Sequence, residues 1–185
     1  MIPSDYNTAL GCFVVSGPSG VGKSTVVKEM IKRFHLRFAV SATTRARRPD
    51  ESEEAYHFMD EATFRTMEFL ETVNRDGILY GTPVSELEAP GPVILDVDVS
   101  GAFAVKAYCQ ETVLMMLVPP SMEELERRIR QRNDGMSEEQ ILARLNRAEQ
   151  DMSCREQFDY VFVNEILEDT IEAVAEVIQK HLGKE

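Results

Sequence analysis

Residues 11–25 read Gly11-Cys12-Phe13-Val14-Val15-Ser16-Gly17-Pro18-Ser19-Gly20-Val21-Gly22-Lys23-Ser24-Thr25. Within them, Gly17 to Ser24 fits G-x-x-x-x-G-K-[ST], the phosphate-binding P-loop. Its neighbours suit that reading. Cys12 to Val15 is an apolar run of the kind found in buried parallel strands. After the loop, Val26, Val27, Met30, Ile31 and Phe34 recur at helical spacing and predict a helix over about 22–34. Glycines let successive backbone N–H groups curl around a phosphate chain, where a Cβ would obstruct. The helix that follows aims its N-terminal partial positive charge at the same phosphates. Gly17, Pro18, Ser19, Gly20, Val21, Gly22, Lys23, Ser24 and Thr25 are therefore the expected nucleoside-triphosphate contacts. Lys23 would reach the β- and γ-phosphates, and the Ser24 hydroxyl would ligate Mg²⁺.

Outward from this stretch, strands and helices alternate without internal repeats. Phe38 to Ser41 reads as a short strand, and Pro92 to Asp98 as an apolar strand ending in two carboxylates. Thr112 to Val118 is another, stopped by Pro119-Pro120. Ser121 and Glu124 have the spacing of a capping box, and Ser137 with Gln140 opens a second charged helix to Met152. A late strand, Asp159 to Val163, precedes a helix whose stripe is Ile171, Val174, Ala175, Ile178 and Leu182. Apolar strands alternating with helices predict an α/β fold, a parallel sheet covered on both faces. Ligands in such folds bind at the carboxyl ends of strands, where the P-loop, Ser41, Asp96 and Asp98 fall. Asp96 and Asp98, two apart on a strand, would point toward one site. They are candidates for holding magnesium; one of them could bind substrate instead, and solvated acids opening a loop is the plainer alternative.

Composition bounds the function. The chain has 185 residues, 43% hydrophobic and 28% charged, as expected of one globular domain with a real core. No apolar run approaches a membrane span, and the first residues lack a signal-peptide core. The three cysteines are widely spaced and fit reduced thiols, so a cytoplasmic location is expected, with Cys12 a small core residue. A net charge of −12 argues against nucleic-acid binding. Nine of the 20 Lys and Arg residues are nevertheless arginines in three clusters: Arg45, Arg47, Arg48; Arg127, Arg128, Arg130, Arg132; and Arg144, Arg147. Arginine suits bidentate contact with phosphate, although Arg127, Arg130 and Arg147 read equally well as a solvated helix face.

These segments form an ordered series. It comprises Ser16 to Thr25, Ser41-Ala42-Thr43-Thr44-Arg45-Ala46-Arg47-Arg48, Tyr56-His57-Phe58, Phe69-Leu70-Glu71, and Leu79-Tyr80-Gly81-Thr82. It continues through Leu95 to Gly101, Pro119-Pro120-Ser121, Arg144-Leu145 and Asp159 to Asn164. The series resembles the guanylate kinase family. The resemblance implies a P-loop NTPase core at about 1–40, 91–125 and 155–185, a small GMP-binding lobe at about 41–90 and a helical lid at about 126–152, in one domain. It implies Mg²⁺-dependent transfer of the ATP γ-phosphate to GMP, and to dGMP. GMP and ATP would be the partners of a monomer or small homo-oligomer, without membrane or nucleic acid.

Residue by residue, the resemblance assigns Arg45, Arg48, Tyr56 and Tyr80 to the acceptor phosphate. It assigns Ser41, Glu71 and Thr82, with Asp98 nearby, to guanine, and Ser24 and Asp96 to the metal. Lys23, Arg48, Arg132 and Arg144 would be catalytic, the last two as lid arginines. Asn164 would contact adenine, or simply end a turn. Taken singly, Tyr56 and Tyr80 read as core aromatics and Glu71 as a surface acid. The chain also departs from the family pattern. The segment Pro49 to Ala55 is acidic and lacks the usual glycines, Tyr56 to Glu71 is shorter by roughly one helical turn, Pro83 to Pro92 replaces a longer helix, and Ser100 stands at a usual glutamine. All fall in or beside the acceptor lobe. A different phosphorylated acceptor, or a binding module without catalysis, are the alternatives.

Overall fold

The computed structural model describes residues 11–49, 51–75, 77–131 and 135–183. Its centre is a five-stranded, wholly parallel sheet in the order β2-β7-β1-β8-β9. These are β1 (Cys12–Ser16), β2 (Arg37–Phe38), β7 (Val93–Asp96), β8 (Val113–Val118) and β9 (Tyr160–Val163). The central strand β1 is buried along its whole length. Side chains alternate across a strand, so Phe13 and Val15 enter one core and Val14 the other. The first core is completed by Val26, Val27 and Met30 of α1 (Lys23–Phe34) and Val174 and Ile178 of α7 (Leu167–His181). The second is closed by Val99, Ala102 and Val105 of α4 (Val99–Tyr108). Burial on both faces is why these strands read as continuous apolar runs.

A second sheet of four strands, β4-β3-β6-β5, is built from β3 (Ala42–Thr43), β4 (His57–Phe58), β5 (Phe69–Arg75) and β6 (Ile78–Pro83). It is mixed: β3 and β4 run parallel, while β6 is antiparallel to β3 and β5. The short helices α2 (Glu61–Phe64) and α3 (Ser85–Glu88) belong to this part of the chain. Further on, α5 (Met122–Gln131) and α6 (Glu138–Ser153) bury Leu125, Ile129, Ile141 and Ala148 against each other in a small core of their own. No helix among the described residues is long and apolar enough to cross a membrane.

Three local expectations change. The strand at 38–41 is displaced to Arg37–Phe38, because the chain changes sheets: Ala39 N–H still donates to Ile94 O at 3.0 Å, but Val40 N–H turns to the Glu86 carboxylate at 3.1 Å. The strand at 92–98 stops at Asp96. Asp98 is the N-cap of α4, its Oδ1 accepting the Gly101 N–H at 3.0 Å, so two-residue strand alternation is not what aims it. The capping box at Ser137 and Gln140 is complete. At Ser121 one arm forms, Glu124 N–H donating to Oγ at 3.1 Å, while the Glu124 carboxylate turns to Arg127 and Arg128.

Candidate functional site

Strand β1 ends at Ser16 and delivers Gly17 into a turn at φ 135°. A Cβ there would lie 2.1 Å from the Leu117 carbonyl oxygen of β8, so no other residue fits this approach. Gly22, at φ 107°, precedes α1, and a Cβ there would meet Asn164 Nδ2 at 2.5 Å. Between them, Pro18, Ser19, Gly20 and Val21 form the loop, closed by Val21 N–H to Pro18 O at 3.3 Å. The Lys23 ammonium folds back over it, 2.7 Å from Gly17 O and 3.2 Å from Pro18 O. Ser24 Oγ donates to Asp96 Oδ2 at 3.2 Å, joining the first turn of α1 to the end of β7.

These groups border a cavity of about 550 Å³ whose far wall is one stripe of α6: Arg144, Arg147, Ala148 and Asp151. A second cavity of about 160 Å³ lies against the smaller sheet, lined by Ser41, Tyr56, Glu71 and Tyr80. The two share Val73, Asp96, Val97 and Asp98. Thr82, 1% exposed, donates to Glu71 Oε1 at 3.2 Å and lies 3.5 Å from Ser41 Oγ, so it holds Glu71 from behind. Tyr56 and Tyr80 meet edge to face, ring centres 6.0 Å apart.

Two expected phosphate ligands stand apart from both cavities. Arg45 grips Glu51 bidentately at 2.8 and 2.9 Å and lies 5.6 Å from the Tyr56 ring centre. The exposed Arg48 adds its backbone N–H to Glu51 Oε2 at 3.3 Å. Glu51 is the residue that reading the sequence missed; its only signal was an acid among three arginines in an unusually acidic segment. Asn164 is braced on the P-loop: its Nδ2 donates to Val21 O at 2.7 Å and its Oδ1 accepts from Thr170 at 3.0 Å. It also borders a groove of about 360 Å³ with Gly20, Thr25, Arg128 and Leu167. Arg132 lies outside the described residues.

The profile of the guanylate kinase family matches residues 11–181. The chain belongs to the guanylate kinase family. A guanylate kinase of Thermotoga maritima is 39% identical over 182 residues, covering 93% of this chain and 87% of that protein. One from Thermus thermophilus is 41% identical over 168 residues, 86% of this chain and 76% of its own length. The crystal structure of guanylate kinase from Anaplasma phagocytophilum superposes with a TM-score of 0.69 at 28% identity, over 93% of this chain and 86% of that one. A shikimate kinase from Bacteroides thetaiotaomicron, 18% identical with a TM-score of 0.52 over 94% and 98% of the two chains, shares the fold.

Electrostatics distinguishes the carboxylates of this family member. Burial pushes the Asp96 carboxyl above its ordinary range, with the Lys23 charge and the Ser24 hydroxyl pulling it back. Arg45 holds Glu51 below the usual carboxylate range. The sign for Asp96 follows from linkage: the folded state binds the proton more tightly, so stability falls as pH rises from the unfolded value of 3.8 through the raised folded one. Above that window the fold carries a partly buried charge. Asp96→Asn should remove the penalty and raise the Tm of nucleotide-free protein by about 2–4 °C, the shift that ~1 kcal/mol makes in a chain of this size. The same variant should lose most of the Tm increase produced by MgATP, which thermal unfolding with and without nucleotide will measure.

Proposed function

We propose that this enzyme transfers the γ-phosphate of ATP to GMP, releasing GDP and ADP, and accepts dGMP as well. The observation that carries this reading is the junction of the P-loop cavity with the Ser41, Glu71 and Tyr80 pocket at Asp96 to Asp98. Donor and acceptor can therefore lie end to end, which in-line phosphoryl transfer needs. The P-loop N–H groups and Lys23 hold the donor phosphates. Glu71 accepts both the N1–H and 2-amino N–H of guanine; adenine lacks this donor pair. The acceptor phosphate takes the place of the Glu51 carboxylate on Arg45, with Arg48, Tyr56 and Tyr80 completing the grip. Arg144, on the α6 stripe that borders the P-loop cavity, balances the charge of the transferred group, a role that the family resemblance also gives Arg132.

Ser24 and Asp96 suit Mg²⁺: they are two hard oxygen donors in contact, and a kinase Mg²⁺ takes one or two protein oxygens beside phosphates and water. Among the described residues no group of three His, Cys, Asp or Glu forms a metal cage. Bound there, the ion would neutralise charge on the β- and γ-phosphates. Within one domain, the lobe at about 41–90 would carry the acceptor, and the α5–α6 region at about 126–152 would act as lid on a core of 1–40, 91–125 and 155–185. The free thiols of Cys12, Cys109 and Cys154 suit a reducing, cytoplasmic compartment, where the enzyme would act as a monomer or small homo-oligomer.

The deciding experiment is coupled ADP release with MgATP against GMP, dGMP, AMP, CMP and UMP. Turnover confined to GMP and dGMP is expected; silence with all five, in protein that binds ATP, would move the acceptor elsewhere. Glu71→Gln sharpens the test. It replaces one acceptor by a donor facing a guanine N–H, and should lower kcat/KM for GMP roughly 10- to 100-fold. ATP affinity should stay within about twofold, since Glu71 lines the second cavity and not the P-loop cavity. Equal losses for both substrates would remove Glu71 from base recognition.

A further inference from the structure

Asp98 has two carboxylate oxygens with different duties. Oδ1 is committed to its own helix, accepting the Gly101 N–H at 3.0 Å and the Ser100 hydroxyl at 2.9 Å. Oδ2 receives Arg147 at 2.8 Å from helix α6. Arg147 lies one turn beyond Arg144 on the same stripe of that helix, and Arg144, Arg147, Ala148 and Asp151 all face the P-loop cavity. Asp151 sits in the same field: burial raises its carboxyl, Arg147 lowers it, Asp98 raises it and Lys23 lowers it again.

The apolar attachments of α6 flank this pair: Met152, near the end of the helix, packs against the core cluster that α4 closes. Ile141 and Ala148 pack on Leu125 and Ile129 of α5. Toward α4, a groove of about 550 Å³ runs between Val99, Ser100 and Phe103 on one side and Asn146, Gln150 and Cys154 on the other. The Arg147 guanidinium thus spans a gap that side-chain packing does not fill, and it lands on the carboxylate at the mouth of the acceptor pocket. Ser100 contributes at close range: its short side chain caps Oδ1 and leaves Oδ2 to the arginine.

We propose that Arg147 is a positioning residue whose ion pair with Asp98 sets where α6 lies over the P-loop cavity, so that the acceptor base bound beside Asp98 governs the placement of Arg144. This inference rests on the proposed function. Its physical basis is that α6 is rigid over one turn: anchoring Arg147 fixes the direction of Arg144, whereas releasing it leaves that stretch held only by the α5 contacts of Ile141 and Ala148 and by Met152 at its far end. The pair is partly exposed, Arg147 at 52% and Asp98 at 26% of the side chain, so its removal should leave overall stability nearly unchanged while altering geometry.

The experiment compares Arg147→Met, Arg147→Lys, Asp98→Asn and the Asp98→Asn/Arg147→Met pair by steady-state ADP release, with GMP and without it. Misplacement of a catalytic group by about 1 Å can cost 10²-fold, so Arg147→Met should lower kcat roughly 10- to 100-fold with KM for ATP within about twofold. The ratio of GMP-stimulated to GMP-free ADP release should fall by a similar factor, which a purely structural ion pair would not change. Arg147→Lys should recover part of the rate. The double variant should stay within about threefold of Asp98→Asn alone, because the two residues act as one unit. An unaltered kcat and ratio in Arg147→Met, or multiplicative losses in the double variant, would overturn the inference while leaving the GMP kinase reading standing. A parent protein silent with GMP would overturn both.

Discussion

Lys23→Ala is expected to cut turnover about 10³-fold or more while the protein remains folded. The ammonium rests 2.7 Å from Gly17 O and 3.2 Å from Pro18 O, two partly buried bonds made by a side chain that lines the cavity. Losing those two bonds costs at most ~1 kcal/mol each, since water can replace the donor. On the proposed reading the kinetic loss is larger, because the same ammonium would lie against the donor phosphates where charge develops. Electrostatic groups placed for a transition state commonly contribute 10²- to 10⁵-fold. A secondary effect has a definite sign: Lys23 lowers the proton affinity of Asp96, so its removal raises the Asp96 carboxyl further. Steady-state rates beside circular dichroism of the same preparation will test this. A near-normal rate would take the P-loop lysine out of the mechanism.

Gly17→Ala should act on the fold as strongly as Lys23→Ala acts on the rate. The new methyl would stand 2.1 Å from the Leu117 carbonyl oxygen, and Leu117 is fully buried in β8 beside the central strand. Neither chain can yield without breaking the β1–β8 ladder, which pairs Ser16 with Met116 immediately before the turn. Backbone strain at φ 135° adds to the clash. A loss of roughly 3 kcal/mol or more is expected, or about 6–12 °C in Tm. Gly91→Ala is the matched control: φ is 98°, but nothing lies within 4 Å of its Cβ, so it should cost only the strain. Thermal unfolding of the two variants side by side separates contact from conformation; equal shifts would show that the Leu117 approach is not the constraint.

The sheet was legible in the sequence because burial leaves a composition signal. Every residue of β1 and of β8 is buried, so both appear as unbroken apolar runs. The P-loop was legible for a different reason: its glycines answer to backbone geometry within a single turn, and local constraints of that kind survive in local sequence. The short strand near Phe38 was misplaced by a few positions because Val40 and Ser41 pass between two sheets, a long-range event with no local mark. Asp98 was included in the site on a wrong geometric basis. It reaches the cavity as a helix cap, and capping was visible only as an Asp three residues before Gly101. Glu51 on Arg45 and Arg147 on Asp98 were harder still. Ion pairs across 6 and 49 positions depend on loop path and helix phase, neither of which composition encodes.

The Arg45–Glu51 pair also bears on how the acceptor responds to salt. A cluster of arginines met by a phosphate dianion ordinarily gives binding that weakens steeply as ionic strength screens the attraction. On the proposed reading the incoming phosphate would exchange places with an internal carboxylate already bound at 2.8 and 2.9 Å, so one anion would replace another on the same guanidinium. The net field that draws the acceptor inward is smaller than the three arginines Arg45, Arg47 and Arg48 would generate on their own. Discrimination then falls to short-range geometry, the second charge of the phosphate and the fit of its base. Acceptor capture in this chain should consequently tolerate changing ionic strength better than its arginine content suggests.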